Sequence, residues 1–222
     1  MNQPQNLTVT EADAYHLIHL DDGKANAVSM ELAHELMSAF AEAAEAGKAI
    51  VLAGRPGKFS AGFHLGQLSV RETMGTLLET GGLVLKALYT HPRPVVAACT
   101  GHALALGALM LLASDYRIGT SGPFSIGLNE VAIGMTMPDK AALLARARIQ
   151  RSMHHRAVVL AEIFDPATAA EIGFLDETVV ADAVLDRAIE KVTQLAALDP
   201  VAFRETKAKV WLREIDDFDG GL

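Results

Sequence analysis

The chain has 222 residues, a net charge of −8, a single cysteine and hydrophobic residues at 50% of positions. The acidity excludes nucleic acid as an expected partner, and no apolar run approaches the ~18 residues that cross a bilayer, so no membrane association is expected. Alanine and leucine supply most of the mean hydropathy of +0.24, which points to a helix-rich α/β protein with room for a sizeable core.

Leu7-Thr-Val-Thr and Tyr15-His-Leu-Ile-His-Leu alternate apolar and polar residues around a short acidic turn, the pattern of a hairpin. Ser29 is placed to cap a helix from Met30 to about Ala46, whose apolar residues recur at helical spacing. Ala49-Ile-Val-Leu-Ala reads as a buried strand, followed by a loop from Gly54 to Leu65 that turns into a helix start. From Gln67 to Tyr89 the pattern is helical but interrupted at Gly75 and Gly81-Gly82, which predicts two helices with a mobile joint. A strand over Val95 to Ala98, a glycine turn and an apolar helix to Ala113 come next, then a strand from Tyr116. The stretch Gly122–Pro138 reads as a loop holding a small strand and a short turn, and Asp139–Leu160 as a basic helix. Asp165-Pro begins a short helix with proline at its first position, ended by Gly173. A strand at Thr178 and two helices, about 181–198 and 201–213, complete the chain, with an acidic, frayed end. The expected division is a core over 1–197 and a short helical extension over 198–222.

Met1-Asn-Gln-Pro-Gln lacks a basic patch leading into an apolar core, so no signal peptide is expected. The lone Cys99 sits at an apolar strand end. That suggests a packing role and a reducing, cytoplasmic setting.

Several reaction motifs fail on spacing. In Gly54-Arg-Pro-Gly-Lys58 the lysine comes too early for a Walker loop. Gly57-Lys-Phe-Ser-Ala-Gly62 has one residue too many before the serine for a nucleophile elbow. The eight histidines form no metal-binding pattern, so no metal is expected, and His154-His155 reads as part of a solvated helix face. What remains is two glycine turns, Ser60-Ala-Gly-Phe-His-Leu and Gly101-His-Ala-Leu-Ala-Leu-Gly-Ala, each after a β-branched strand and each opening a helix. Such turns are either ordinary βα loops or, from neighbouring strands, a pair of backbone N–H groups aimed at one point as an oxyanion hole.

The motif order resembles the crotonase (enoyl-CoA hydratase/isomerase) superfamily over roughly residues 5–210. It runs from Asn26-Ala through Lys58-Phe-Ser-Ala-Gly-Phe-His-Leu, Thr100-Gly-His-Ala-Leu-Ala-Leu-Gly and Ser114-Asp115 to Leu128-Asn-Glu-Val-Ala-Ile-Gly. The resemblance implies an α/β fold, a crotonase-like spiral of repeated ββα units with a helical C-terminal region, assembled as a homotrimer or hexamer. It implies an acyl-CoA substrate, CoA being part of that substrate rather than a separate cofactor. By position it makes the N–H groups of Phe63 and Leu106 the oxyanion donors and sets Ala61 near the adenine end of CoA. His64, Gly107 and Leu109 join Ala61 as substrate-binding positions.

Departures from the family pattern shape the expected reaction. Hydratases of the family use two glutamates; here the first position is Leu109 and the second is Glu130. One carboxylate suffices to carry a proton between two carbons, whereas adding water asks one group to activate water and another to deliver a proton. Glu130 alone therefore favours Δ3-Δ2-enoyl-CoA isomerisation. The alternatives are a hydratase recruiting Glu72 or Glu79, and an acyl-CoA-binding protein with impaired chemistry. His64 stands where the family usually has aspartate; it reads either as a local helix-start hydrogen bond or as a polar group facing substrate. The greasy Leu106 and Leu109 should raise the pKa of a nearby glutamate by desolvation. Many family members carry further helical turns over the acyl pocket, so the resemblance leads to the expectation of either a neighbouring subunit covering the site here or a more open pocket.

Overall fold

The computed structural model describes residues 6–210. The opening hairpin is present: β1 (Leu7–Glu11) pairs antiparallel with β2 (Tyr15–Leu20). Helix α1 (Met30–Glu45) follows, with the Ser29 hydroxyl accepting from the Leu32 N–H at 3.2 Å. Three ββ pairs then build two sheets. β3 (Ala49–Gly54), β5 (Val95–Cys99) and β7 (Tyr116–Thr120) extend the first hairpin as parallel strands, with β9 (Glu177–Val179) at the far edge. Their partners β4 (Gly57–Ser60), β6 (Gly101–Leu104) and β8 (Ile126–Gly127) form a separate three-stranded parallel sheet. Each turn of the spiral thus gives its first strand to the large sheet and its second to the small one.

Helices complete each turn: α2 (Leu65–Leu68) and α3 (Arg71–Tyr89) after β4, α4 (Leu106–Ala113) after β6, and α5 (Asp139–Arg148) after β8. The helical C-terminal region is α6 (Pro166–Ile172), α7 (Val184–Ala196) and α8 (Pro200–Val210). β3 and β5 are buried on both faces, as parallel strands covered on two sides must be. Ile50, Leu52, Val95 and Ala97 join the main core with α1, α3 and α4. The alternate residues Val51, Ala53, Val96 and Ala98 pack under Val184, Ala188 and Val192 of α7. Cys99 is fully buried, and burial pushes its thiol up to about 12, so it is a packing residue. Helix α8 is pinned by Lys207, whose Nζ donates to Asp115 Oδ2 at 2.7 Å and to the His91 carbonyl at 3.3 Å.

Four local expectations need correction. The glycines at 75, 81 and 82 do not break the helix; α3 runs through them, and the interruption lies at Ser69-Val70. The expected loop after Gly54 contains β4, and the glycine turn after Cys99 contains β6; the two short strands pair with each other, and β6 also with β8. The basic helix ends at Arg148 and resumes as a 3-10 turn over Arg151–Met153 and a π turn over His155–Val159. Of the histidine pair, His155 is exposed but His154 is half-buried, its Nε2 2.8 Å from the Ile149 carbonyl oxygen. The acidic end expected beyond residue 213 lies outside the described residues.

Candidate active site

The first glycine turn is held from behind by Asn26, which is fully buried with φ +51°. Its Nδ2 contacts the carbonyl oxygens of Leu20, Lys58 and Phe59 at 3.0–3.1 Å, while its Oδ1 accepts from the Asp22 N–H at 3.0 Å. The Ser60 hydroxyl donates to the Asn26 carbonyl at 2.8 Å and accepts from the Gly62 N–H. Val28 then pairs with the turn: its N–H donates to the Gly62 carbonyl at 2.7 Å, and its carbonyl accepts from the His64 N–H at 3.0 Å. Extended backbone points successive groups to opposite sides, so this pairing leaves the Phe63 N–H directed away from Val28.

The second turn brings the Leu106 N–H alongside. Ala105 donates to the Gly127 carbonyl at 3.0 Å and carries φ +48°, ψ −122°, a conformation an alanine adopts only under constraint. Leu106 opens α4, so its N–H is among the donors that a helix start leaves without an intrahelical acceptor. The two turns touch at Gly62: a Cβ there would lie 2.9 Å from the Ala105 Cβ and 3.2 Å from the Leu106 nitrogen. The turns that carry the Phe63 and Leu106 N–H groups are therefore in contact, with the positive end of α4 behind the second.

A cavity of about 490 Å³ opens onto this meeting point. Ala61, Phe63, His64, Leu109 and Glu130 all line it, so the structure gathers these sequence-predicted positions around one space. His64 is exposed at its mouth and also caps α2, its Nδ1 accepting from the Gln67 N–H at 3.3 Å. Leu106 lines an adjoining cavity of about 280 Å³ between α3, α4 and α5. Gly107 lines neither cavity; its Cβ position is 2.3 Å from the Ser60 carbonyl oxygen, so it serves the close approach of α4 to β4.

Glu130 is the chemically distinctive wall. It is 5% exposed, sits at the entrance of a 3-10 turn over Val131–Ile133, and its Oε2 has no hydrogen-bond partner among the described residues. Burial holds its carboxyl above the ordinary carboxylate value. The other acid lining this cavity is Asp22, whose carboxylate accepts from the Lys24, Asn26 and Ala27 N–H groups. Glu79 lines the adjoining cavity from an exposed position, and Glu72 lines neither. Sequence reasoning missed Asn129, whose Oδ1 is buried without a partner beside Glu130. Its only signal was adjacency to that glutamate. Among the described residues no group of three or more His, Cys, Asp or Glu side chains could hold a metal ion, and no helix is long and apolar enough to cross a membrane.

Residues 11–213 match the enoyl-CoA hydratase/isomerase family. The chain is 32% identical over 191 residues to human mitochondrial enoyl-CoA delta isomerase 1, a match covering 82% of this chain and 63% of that protein. It is also 32% identical over 173 residues to a probable enoyl-CoA hydratase of Mycobacterium avium, covering 73% of this chain and 65% of that protein. It thus spans just under two thirds of the length of these relatives. A crystal structure of an enoyl-CoA hydratase/isomerase family protein from Pseudomonas syringae superposes with a TM-score of 0.94 at 37% identity, over 96% of this chain and 94% of that one. With the ββα spiral, the paired turns and a match over nearly the whole chain, this protein belongs to the enoyl-CoA hydratase/isomerase family of the crotonase superfamily.

Proposed function

We propose that this protein moves the double bond of a 3-enoyl-CoA thioester to the 2-position, with Glu130 as the sole proton carrier. The thioester oxygen accepts from the Phe63 and Leu106 N–H groups. The Glu130 carboxylate takes a proton from the carbon next to the thioester carbonyl, and the electron pair delocalises into a dienolate whose oxygen those donors stabilise. The protonated Glu130 then gives its proton to the far carbon of the former double bond. One proton leaves and one returns, so no water or second acid is consumed. In precedent cases, loss of one such backbone or side-chain donor costs about 3–4 kcal/mol of transition-state stabilisation.

The observation that carries this reading is the contrast between Glu130 and Leu109. A buried carboxyl whose Oε2 has no partner lines the same cavity as a leucine at the position where two-acid relatives keep their other glutamate. Hydration is the second reading, favoured by Glu79 in the adjoining cavity. Homotrimer or hexamer formation belongs to the same proposal, supported by exposed Val201 and Val210 on α8; so does a cytoplasmic setting, supported by the lone buried cysteine.

The test compares 3-enoyl-CoA with 2-enoyl-CoA substrates, following the conjugated thioester absorbance. Turnover of the 3-enoyl substrate without net water addition to the 2-enoyl substrate supports isomerisation, and Glu130→Gln abolishes it while acyl-CoA binding persists. Water addition that survives Glu130→Gln but not Glu79→Gln would establish the hydratase instead. Binding of acyl-CoA without turnover of either substrate by the unaltered protein overturns both.

A further inference from the structure

The two cavities beside the paired turns share four lining residues, Phe63, Leu78, Leu109 and Pro138, which form an apolar waist between them. The larger cavity holds Glu130, and the smaller one, inner only in that it lies beyond the waist, is lined also by the charged residues Glu79, Asp139 and Lys140. A chain whose carbonyl is fixed beside the paired turns, on the Glu130 side, reaches the inner cavity only if the Phe63 ring leaves the passage free.

The position of that ring is decided on α3. Gly81 lies on the buried face of the helix, and a Cβ there would fall 2.3 Å from Phe63 Cζ, 2.6 Å from Cε1 and 3.4 Å from Leu106 Cδ2. The missing side chain is the space in which the ring rests. Glycine is among the least favourable residues for a helix interior, so its presence there is explained by what it admits. Gly75 on the same helix serves no such purpose: a Cβ there would meet nothing within 4 Å, and the residue lines neither cavity.

We propose that Gly81 sets the length of acyl chain this site accepts, by seating the Phe63 ring against α3 and so holding the passage between the two cavities open. Any side chain at position 81 drives the ring off the helix, and the space on its other side is the waist itself. Short chains end before the waist and are indifferent to the displacement; longer chains lose the inner cavity. The proposal rests on the acyl-CoA reading above but concerns binding alone, independent of turnover.

The experiment titrates unreactive butanoyl-CoA and decanoyl-CoA calorimetrically into the unaltered protein, Gly81→Ala, Gly75→Ala and the double variant Gly81→Ala/Phe63→Ala. Gly81→Ala is expected to weaken decanoyl-CoA about tenfold, equivalent to about two methylenes left unburied, and butanoyl-CoA by less than about twofold. Gly75→Ala, on the same helix but lining neither cavity, leaves both affinities unchanged, and removal of the ring in the double variant restores decanoyl-CoA binding. Equal losses for both esters, no loss for either, or no rescue would overturn the role of Gly81. If Gly81→Ala does not fold, Phe63→Trp obstructs the same passage from the other side; undiminished decanoyl-CoA binding by that variant overturns the assignment. Binding of neither ester by the unaltered protein overturns the acyl-CoA reading itself, whereas binding of both at an unchanged ratio in Gly81→Ala overturns the length-setting role alone.

Discussion

Gly62 and Ala105 meet so closely that a Cβ on the glycine would stand 2.9 Å from the Cβ of the alanine, and the glycine holds φ +88°. The contact fixes the turn before Phe63 against the turn before Leu106, so the spacing of the two proposed oxyanion donors depends on it. Gly62→Ala therefore faces both a steric collision and a left-handed backbone, the latter alone worth about 1–3 kcal/mol. Turnover is expected to fall about a hundredfold as the donors lose their common focus, with the unfolding midpoint in urea lowered as well. Unchanged kcat in a folded Gly62→Ala protein would separate this contact from the chemistry.

The opposite substitution on the other side of that contact has the opposite sign. Ala105 adopts φ +48°, ψ −122° to start α4, a conformation glycine reaches freely. Ala105→Gly removes backbone strain of about 1–3 kcal/mol, offset in part by the roughly 0.5–1 kcal/mol of extra chain entropy glycine loses on folding. A net gain of about 1 kcal/mol is expected from urea melts. Turnover is expected to stay within a few-fold, because the Leu106 N–H keeps its direction.

Asn26 supports the first turn without reaching the cavity. Asn26→Ala removes the amide donors that serve the carbonyls of Leu20, Lys58 and Phe59. It also leaves a residue less tolerant of φ +51°. Each buried carbonyl left unsatisfied costs about 1–3 kcal/mol, so a loss of about 3–5 kcal/mol is expected in equilibrium unfolding. Asn26→Asp, isosteric but with an acceptor in place of the donor, should be no better.

Asn26 also shows where the sequence was legible and where it was not. The motif order marked its neighbourhood, but its three carbonyl contacts join residues up to 33 positions away, and periodicity carries no such information. The large sheet and most helices were readable because their apolar residues recur at strand or helix spacing. β4 and β6 were not, since four-residue strands containing Gly57 and Gly101 exist through pairing within the small sheet, with each other and, for β6, with β8. Gly81 looked like a helix joint for the same reason: the Phe63 ring that explains it arrives from another segment. At the site, glycine turns alone read first as ordinary loops, and only the resemblance carried by their order relative to Asn26, Leu109 and Glu130 suggested a shared cavity. Asn129 had no such context.

The raised pKa of Glu130 has two consequences of definite sign. The proposed reaction needs the carboxylate, so activity is lost on the acid side at a higher pH than for an exposed glutamate of ordinary value 4.5. For stability, a carboxyl whose folded-state pKa exceeds its unfolded value favours the native state when protonated, and that contribution disappears as pH rises through the folded pKa. Glu130→Gln is thus expected to raise the unfolding temperature above that pH and to change it little at pH 4, which calorimetry at the two pH values measures. An unfolding gain independent of pH would assign the effect to packing instead.

His91 runs in the other direction. It is 3% exposed, and burial, reinforced by nearby Lys207, lowers its imidazole from 6.5 to about 4. The native state holds it neutral while the unfolded chain protonates it below 6.5, so stability is lost as pH falls from 6.5 towards 4. The shift corresponds to about 3 kcal/mol across that window. The loss reaches the element that carries Lys207, because the Lys207 ammonium bonds both the His91 carbonyl and Asp115. A charge on the His91 ring would stand beside that ammonium. His91→Gln is therefore expected to flatten the decline in urea midpoint between pH 6.5 and 4, with hydrogen exchange in α8 losing its acceleration at acid pH. A decline that persists unchanged in His91→Gln would assign acid sensitivity to another buried group.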